Sequence, residues 1–349
     1  MIGNDIHKLA KQLWPYNRSL TGQGVIDTLN QISNHLPNLN IKSIKSGTKV
    51  FDWVIPKEWE VHEAYIVTPK GKKICDFSKN NLHLIGYSIP FKGTLSLKEL
   101  KKNLYTLPKQ PKAIPYITSY YKERWGFCLS QEQFDTLDDG LYKIVISSTL
   151  SDGKMNYGEL FIKGKSDKEI FLSTYICHPS MANNELSGPT VVTFLAKWLQ
   201  MVDQLEYSYR IVFIPETIGS IAYLSQNFKE MKDKIISTLS IDNILQFHNG
   251  NIVNIFAESN YDSIDISPYT SSKLYSKIYS ENPHGFKKVV SGFTNFIKYL
   301  KDDNVVINHT YLWDIVCSRN ADLFPKGLNL IIMENKNADI TNNVHVLCP

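Results

Sequence analysis

Hydrophobic positions repeat with different periods along this chain. Ile6, Leu9, Ala10 and Leu13 fall at helical spacing, and after a break at Pro15 a second helical pattern runs to about residue 36. Residues 50–139 carry short apolar runs instead, Phe51 to Ile55, Ala64 to Val67 and Leu82 to Ile89, broken by Pro and Gly. Lys70-Gly71-Lys72 predicts a hairpin turn, and Ser96 with Glu99 predicts a capping box. Pro108, Pro111 and Pro115 then lead into an aromatic block, Tyr116 to Leu129. From Leu141 the pattern becomes strand-length runs of Ile, Val, Leu and Phe: Leu141 to Ser148, Ile170 to Cys177, Tyr207 to Ile214, Ile235 to Ile241 and Leu328 to Met333. Helical patterns at Ser187 to Met201 and Ile218 to Met231 separate three of them. Residues 262–312 are less regular, with a helix expected about Phe293 to Leu300.

Strands alternating with helices imply a mixed, mostly parallel sheet between helical layers, a three-layer α/β/α arrangement. The expected division is a discontinuous α/β domain, residues 1–49 and 140–349, with a small β-rich domain inserted at 50–139. The aromatic block reads first as the core of that insertion.

The stretch Phe171 to Gly188 organises the chemistry. An apolar run ends abruptly at His178, a polar loop follows, and a helix begins near Ser187. Glu216 and Asp242 follow the next two strand runs. Carboxyl ends of parallel strands share one edge, where ligands bind. One His, one Asp and one Glu there are the ingredients of a zinc hydrolase, two as ligands and one carboxylate taking a proton from water. Each also has a structural explanation: a hydrogen-bonded His, an Asp that starts a turn, a Glu facing a helix dipole. Each explanation is individually the better one; their coincidence at consecutive strand ends brings the site level with them. The loop Arg18 to Gly24 admits two readings, a capping turn using Ser19 or Thr21, and an anion-holding loop with Arg18 as its charged contact.

Composition narrows the class. The chain has 349 residues, 43% hydrophobic and 21% charged, with a net charge of +4 and no dense basic tract, which argues against nucleic acid. No apolar run reaches the roughly 20 residues that cross a bilayer. The five cysteines are scattered, without CxxC spacing, as in a reducing cytoplasm. The expected partner is a small molecule or short peptide, with self-association left open.

The blocks His178-Pro-Ser-Met-Ala-Asn-Asn-Glu-Leu-Ser-Gly188 and Pro215-Glu-Thr-Ile-Gly-Ser220 resemble an aminopeptidase-like bacterial family of unknown function. That family is related to the co-catalytic zinc exopeptidases, such as leucine aminopeptidases and glutamate carboxypeptidases. Further matching blocks are Trp14 to Gly22, Val50 to Pro56, His83 to Ser88, Pro115 to Cys128 and Tyr157 to Glu159, so the likeness covers residues 1 to about 245. The resemblance implies a zinc-exopeptidase-like fold with a small inserted domain. It implies His178 and Asp242 as ligands, Glu216 as general base, His345 rather than His309 as the last ligand, and Asp314 near the substrate. Arg18 and Arg124 are candidates for holding an acidic or sugar-linked substrate.

Two departures shape the expected site. Asn184 stands where the family has the metal-bridging Asp, with Glu185 beside it as a substitute carboxylate; Thr217 stands where the exopeptidases have a second Glu. One zinc ion is therefore expected rather than two. The expected activity is hydrolysis of an amide in a small peptide or acylated amino compound. The alternative is a degenerate relative that binds without cleaving. A third reading, a truncated or altered copy with a poorly formed end, rests on the four Asn of Asn335 to Pro349 and the lack of a closing helix there.

Overall fold

The computed structural model describes residues 2–240 and four short strands at 245–248, 251–255, 309–313 and 330–334. Helices α1 (Ile2–Leu13) and α2 (Gln23–Ser33) form where the helical period predicts them. Each buries one apolar stripe, Ile6, Leu9, Ala10 and Leu13 on α1 and Val25, Leu29 and Ile32 on α2.

Strand β1 (Asn40–Lys45) is followed by a tight hairpin, β2 (Lys49–Val50) and β3 (Trp53–Val54). Its two-residue turn is Phe51-Asp52, and Phe51 takes φ 55°. A turn with positive φ at its first central residue ordinarily has Gly there. Holding another residue in such a region costs about 1–3 kcal/mol.

Next come β4 (Glu58–Val67) and β5 (Lys73–Ile74), joined through Gly71 at φ 78° as the Lys-Gly-Lys pattern predicts. Strand β6 (Phe91–Ser96) runs into the short helix α3 (Leu97–Leu100), which carries the expected capping box of Ser96 and Glu99. The short pair β7 (Leu104–Tyr105) and β8 (Phe127–Cys128) brackets the proline-rich and aromatic segment, and α4 (Gln131–Asp135) closes it. Strand β9 (Leu141–Ser151) pairs antiparallel with both β4 and β6, giving a four-stranded sheet in the order β5–β4–β9–β6. The pattern at Leu141 had suggested the start of the main α/β unit; the strand instead sits inside this second sheet.

The central sheet is built from β1, β10 (Lys154–Ile162), β11 (Glu169–Tyr175), β12 (Ser208–Ile214) and β13 (Ile235–Ser240), in the order β1–β10–β12–β11–β13. Helices α5 (Ser187–Met201) and α6 (Ile218–Lys234) connect its parallel members. Strands β12, β11 and β13 are parallel, while β10 is antiparallel to β1 and β12. Among the described residues the sheet is thus evenly mixed rather than mostly parallel.

One face packs Leu160, Leu172, Ile211 and Phe213 against α1, α2 and α5. On the other face Tyr175, Val212 and Ile214 join α6 and the second sheet in a single apolar cluster that includes Ile66, Tyr142 and Ile144. Residues 50–139 therefore share a core with the main sheet. The expected helix at Phe293 to Leu300 lies outside the described residues, and Leu330–Glu334 forms a strand paired with His309–Trp313.

Candidate functional site

The site grows from the order of β12, β11 and β13. With β11 in the middle and both neighbours parallel to it, residues after the three strands fall on one edge. His178 lies just past β11 and Glu216 just past β12. Asp242 follows β13 but lies outside the described residues, as do Asp314 and His345; His309 opens a described strand.

The polypeptide reaches this edge under strain. Among the described residues, three of the six non-glycine positions with positive φ are here, Ser180, Glu185 and Thr217. The loop Ala182–Leu186 is irregular, with Asn184 extended and Glu185 at φ 93°, ψ −74°. Such outliers are held in place by their surroundings and gather at functional sites.

Glu185 is what holds this one. Its Oε2 accepts from the backbone N–H of His178 at 2.8 Å, from that of Cys177 at 3.2 Å, and from His178 Nδ1 at 2.9 Å. Its Oε1 accepts from Arg18 Nε at 3.0 Å. Arg18 also donates to the carbonyls of His178 and Leu13. With Nδ1 occupied, His178 presents Nε2, which lies 3.4 Å from Glu216 Oε2. The Glu216 side chain is more than a third exposed, so it stands at the mouth, and its backbone N–H donates to Cys177 Sγ.

These contacts revise the expected roles. Arg18 is buried against Glu185, neither capping α2 nor facing a substrate; burial pulls its pKa down against the pull of Glu185. The N-cap of α2 is Gly22, without a side-chain cap, and Thr21 bonds instead with Tyr87 and Trp59. Glu185 spends both oxygens on N–H donors and a guanidinium. Cys177, His178 and Glu185 offer ligand atoms within 4.8 Å of one another, but a cation there would sit against Arg18. Arg124 turns inward too: Nη2 donates to the Thr118 carbonyl at 2.6 Å and its Nε is buried without a hydrogen-bond partner.

Electrostatics follow the same pattern. Burial alone would lower the His178 pKa, but the Cys177 sulfur and the Glu185 carboxylate together hold it well above the usual value. Burial pushes the Cys177 thiol pKa up, against the opposing pull of His178. Asn184 Oδ1 is buried without a hydrogen-bond partner. A buried, unpartnered oxygen next along the loop from the oriented imidazole is the kind of atom a metal ion satisfies. His178 Nε2 and Glu216 Oε2, 3.4 Å apart, and the unpartnered Asn184 Oδ1 are donor types that suit a zinc ion.

The aromatic block reaches this site, a role its composition did not reveal. The Tyr116 ring lies 4.9 Å from the His178 ring and Tyr175 lies 5.1 Å from it, both edge-on. The Tyr116 and Tyr120 hydroxyls are 3.0 Å apart. Burial, the dominant cause for each, keeps both protonated well past the usual tyrosine range.

Fold and strand-end site together define a mixed α/β protein with His178 and Glu216 at the carboxyl edge of its parallel strands. Residues 7–260 match the family described as "Domain of unknown function (DUF4910)", and the chain belongs to that family. A Clostridium acetobutylicum protein, named as a candidate polysaccharide biosynthesis protein with an aminopeptidase-like domain, is 51% identical over 231 residues, covering 66% of this chain and 53% of its own. A crystal structure of a candidate peptidase from the same species is 48% identical with a TM-score of 0.68, over 70% of this chain and 57% of that one. The chain thus spans little more than half the length of either. A peptidase M28 precursor from Shewanella amazonensis shares the fold at TM-score 0.50 and 12% identity, over 81% of this chain and 77% of its own.

Proposed function

We propose that this protein is a zinc-dependent aminopeptidase-like hydrolase that cleaves an amide bond in a small peptide or acylated amino compound. The observation that carries the reading is the His178 imidazole, fixed at Nδ1 by Glu185 and aimed through Nε2 at Glu216. A carboxylate on the far nitrogen of a metal-binding His fixes the ring and raises its basicity. His178 and Asn184 hold the ion, with Asp242 and His345 as further ligands, and one ion is expected. When bound, zinc supplies Lewis acidity that polarises a carbonyl and acidifies water.

Glu216 acts as general base. Its exposed carboxylate takes the proton from the attacking water and passes it to the departing amine. Tyr116 and Tyr175 hold the imidazole edge-on and line the approach. The name of the 51% identical relative, which joins polysaccharide biosynthesis to an aminopeptidase-like domain, supports an acylated amino group carried on a saccharide. No described helix is long and apolar enough to cross a membrane, and a cytoplasmic setting fits the scattered thiols.

The binding-only alternative is favoured by one observation, that Glu185 is fully engaged and supplies no second ligand charge. One experiment separates the two. Protein purified without chelator is assayed for zinc and for amidase activity, beside Glu216→Ala. The hydrolase reading expects about one equivalent of zinc and a loss of at least ~10² in rate in the variant. Zinc below about a tenth of an equivalent, with no rescue on adding metal, overturns it.

A further inference from the structure

The β2–β3 hairpin presents aromatic side chains to solvent in a conformation that local chemistry disfavours. Phe51 is 60% exposed and Trp53 37% exposed, and from the aromatic block Tyr121 is 54% exposed. The Trp53 and Tyr121 rings meet edge-on at 5.7 Å. Tyr121 is pinned by its hydroxyl, which donates to the Val54 carbonyl at 3.0 Å. Phe51 occupies the positive-φ turn position where Gly is at home. A large apolar residue that is both strained and exposed adds nothing to the core. Local rules are broken in this way mainly where a surface has a task.

The rim continues the candidate site. Tyr121 follows Tyr120, whose hydroxyl meets that of Tyr116 over His178. The hairpin packs against α6, the helix that begins beside Glu216. Around the rings stand exposed Asp52, Lys122 and Glu123, charges of both signs. That mixture does not suit a nucleic acid or an anionic membrane, which ask for one sign. It suits a neutral ligand with apolar faces and a hydroxyl edge. The C–H faces of a pyranose ring pack on aromatic rings while its hydroxyls reach the polar groups around them.

We infer that Phe51, Trp53 and Tyr121 form a saccharide-binding subsite that holds a sugar ring of the substrate while its acylamino group lies at His178 and Glu216. The inference rests on the hydrolase reading for the second half of that sentence, and binding of the sugar is testable apart from it. Triacetylchitotriose and maltotriose are titrated into the full chain by calorimetry and saturation-transfer NMR, with ring protons read at the aromatic rim. Binding of at least one is expected, weakened at least about tenfold by Trp53→Ala and by Phe51→Gly. Phe51→Gly should melt at or above the parent temperature, since the turn relaxes. A parent protein that binds the sugar and cleaves nothing refutes the hydrolase reading alone. Absence of binding by both sugars, or binding unchanged in both rim variants, overturns the subsite. So does a Trp53→Ala variant that turns an oligomer into a monomer without altering sugar binding, because the rim is then a contact between copies.

Discussion

Arg18 and Glu185 stand 167 residues apart in sequence and form a 3.0 Å ion pair whose two side chains are fully buried. The pair ties the loop between α1 and α2 to the strained loop after β11, and the same carboxylate fixes His178. Removing one partner of a buried pair leaves an uncompensated charge, which costs about 3–5 kcal/mol. Glu185→Gln is expected to lower the unfolding free energy by roughly that amount in a urea titration. Arg18→Met with Glu185→Leu should recover only part of the loss: no lone Arg or Glu charge remains, but the buried N–H groups of Cys177 and His178 lose their acceptor. It should not recover zinc affinity, because His178 has lost its Nδ1 partner. A double variant that binds zinc like the parent would remove Glu185 from the site's machinery.

Asn184→Asp tests the loop oxygen. Its Oδ1 is buried and unpartnered, and the substitution gives it a charge without changing its size. Two effects of opposite sign are expected. Without metal the variant melts lower, because a second buried carboxylate stands next to Glu185 with no donor to satisfy it. With zinc it gains, and its affinity in a chelator competition should rise about 10–100-fold, the scale on which a ligand set tunes a metal site. Unchanged zinc affinity would place Asn184 outside the coordination shell.

The legible parts of this chain are those written in local pattern. Apolar runs mark β11, β12 and β13, whose carboxyl ends carry the candidate residues, and glycine and serine mark the turn at Gly71 and the cap at Ser96. The parts that misled depend on partners far away. Arg18 reads as a free cation because its anion comes 167 residues later, and Glu185 reads as a ligand because its donors are backbone N–H groups that only the folded loop converges. Tyr116 reads as core because its partner, His178, comes 62 residues later, past a strand of the central sheet. Strand β10 escaped notice because Lys154, Asn156 and Gly158 interrupt its apolar pattern.

A second buried cluster makes a pH prediction away from the site. Arg210 on β12 grips Glu169 with Nε at 2.6 Å and Nη2 at 3.1 Å, and Nη2 also reaches Glu230 at 3.0 Å. The Glu230 carboxyl is held below its ordinary 4.5, first by its hydrogen bond from Lys234, against the opposing effect of partial burial, and then by Arg210. A carboxyl with a depressed folded value binds fewer protons folded than unfolded through that range. Its stabilisation is therefore complete above the ordinary value and is lost as pH falls through the folded one. Glu230→Gln is expected to shallow the fall in melting temperature between about pH 5 and 3 while leaving the neutral region nearly unchanged. An acid limb identical to the parent's would show that exposure of Glu230 screens the pair.

Gly158 tests how closely α2 must approach the central sheet. The residue lies on β10 opposite Phe213 of β12, the strand that ends just before Glu216. A Cβ added there would meet Leu29 Cδ2 at 2.9 Å and the two Cδ atoms of Leu39 at 3.2 Å. Both leucines are buried, so neither has open space to enter. Gly158→Ala is therefore expected to overpack this face and cost about 1–3 kcal/mol, a drop of roughly 2–4 °C per kcal/mol in a thermal melt. Leu29→Val in the same chain should return part of the loss by removing the colliding methyl group's reach. Zinc binding should be unchanged throughout, because the collision lies on the face away from His178. A Gly158→Ala protein as stable as the parent would mean that α2 shifts freely, and that the strand tolerates Gly there for no reason of packing.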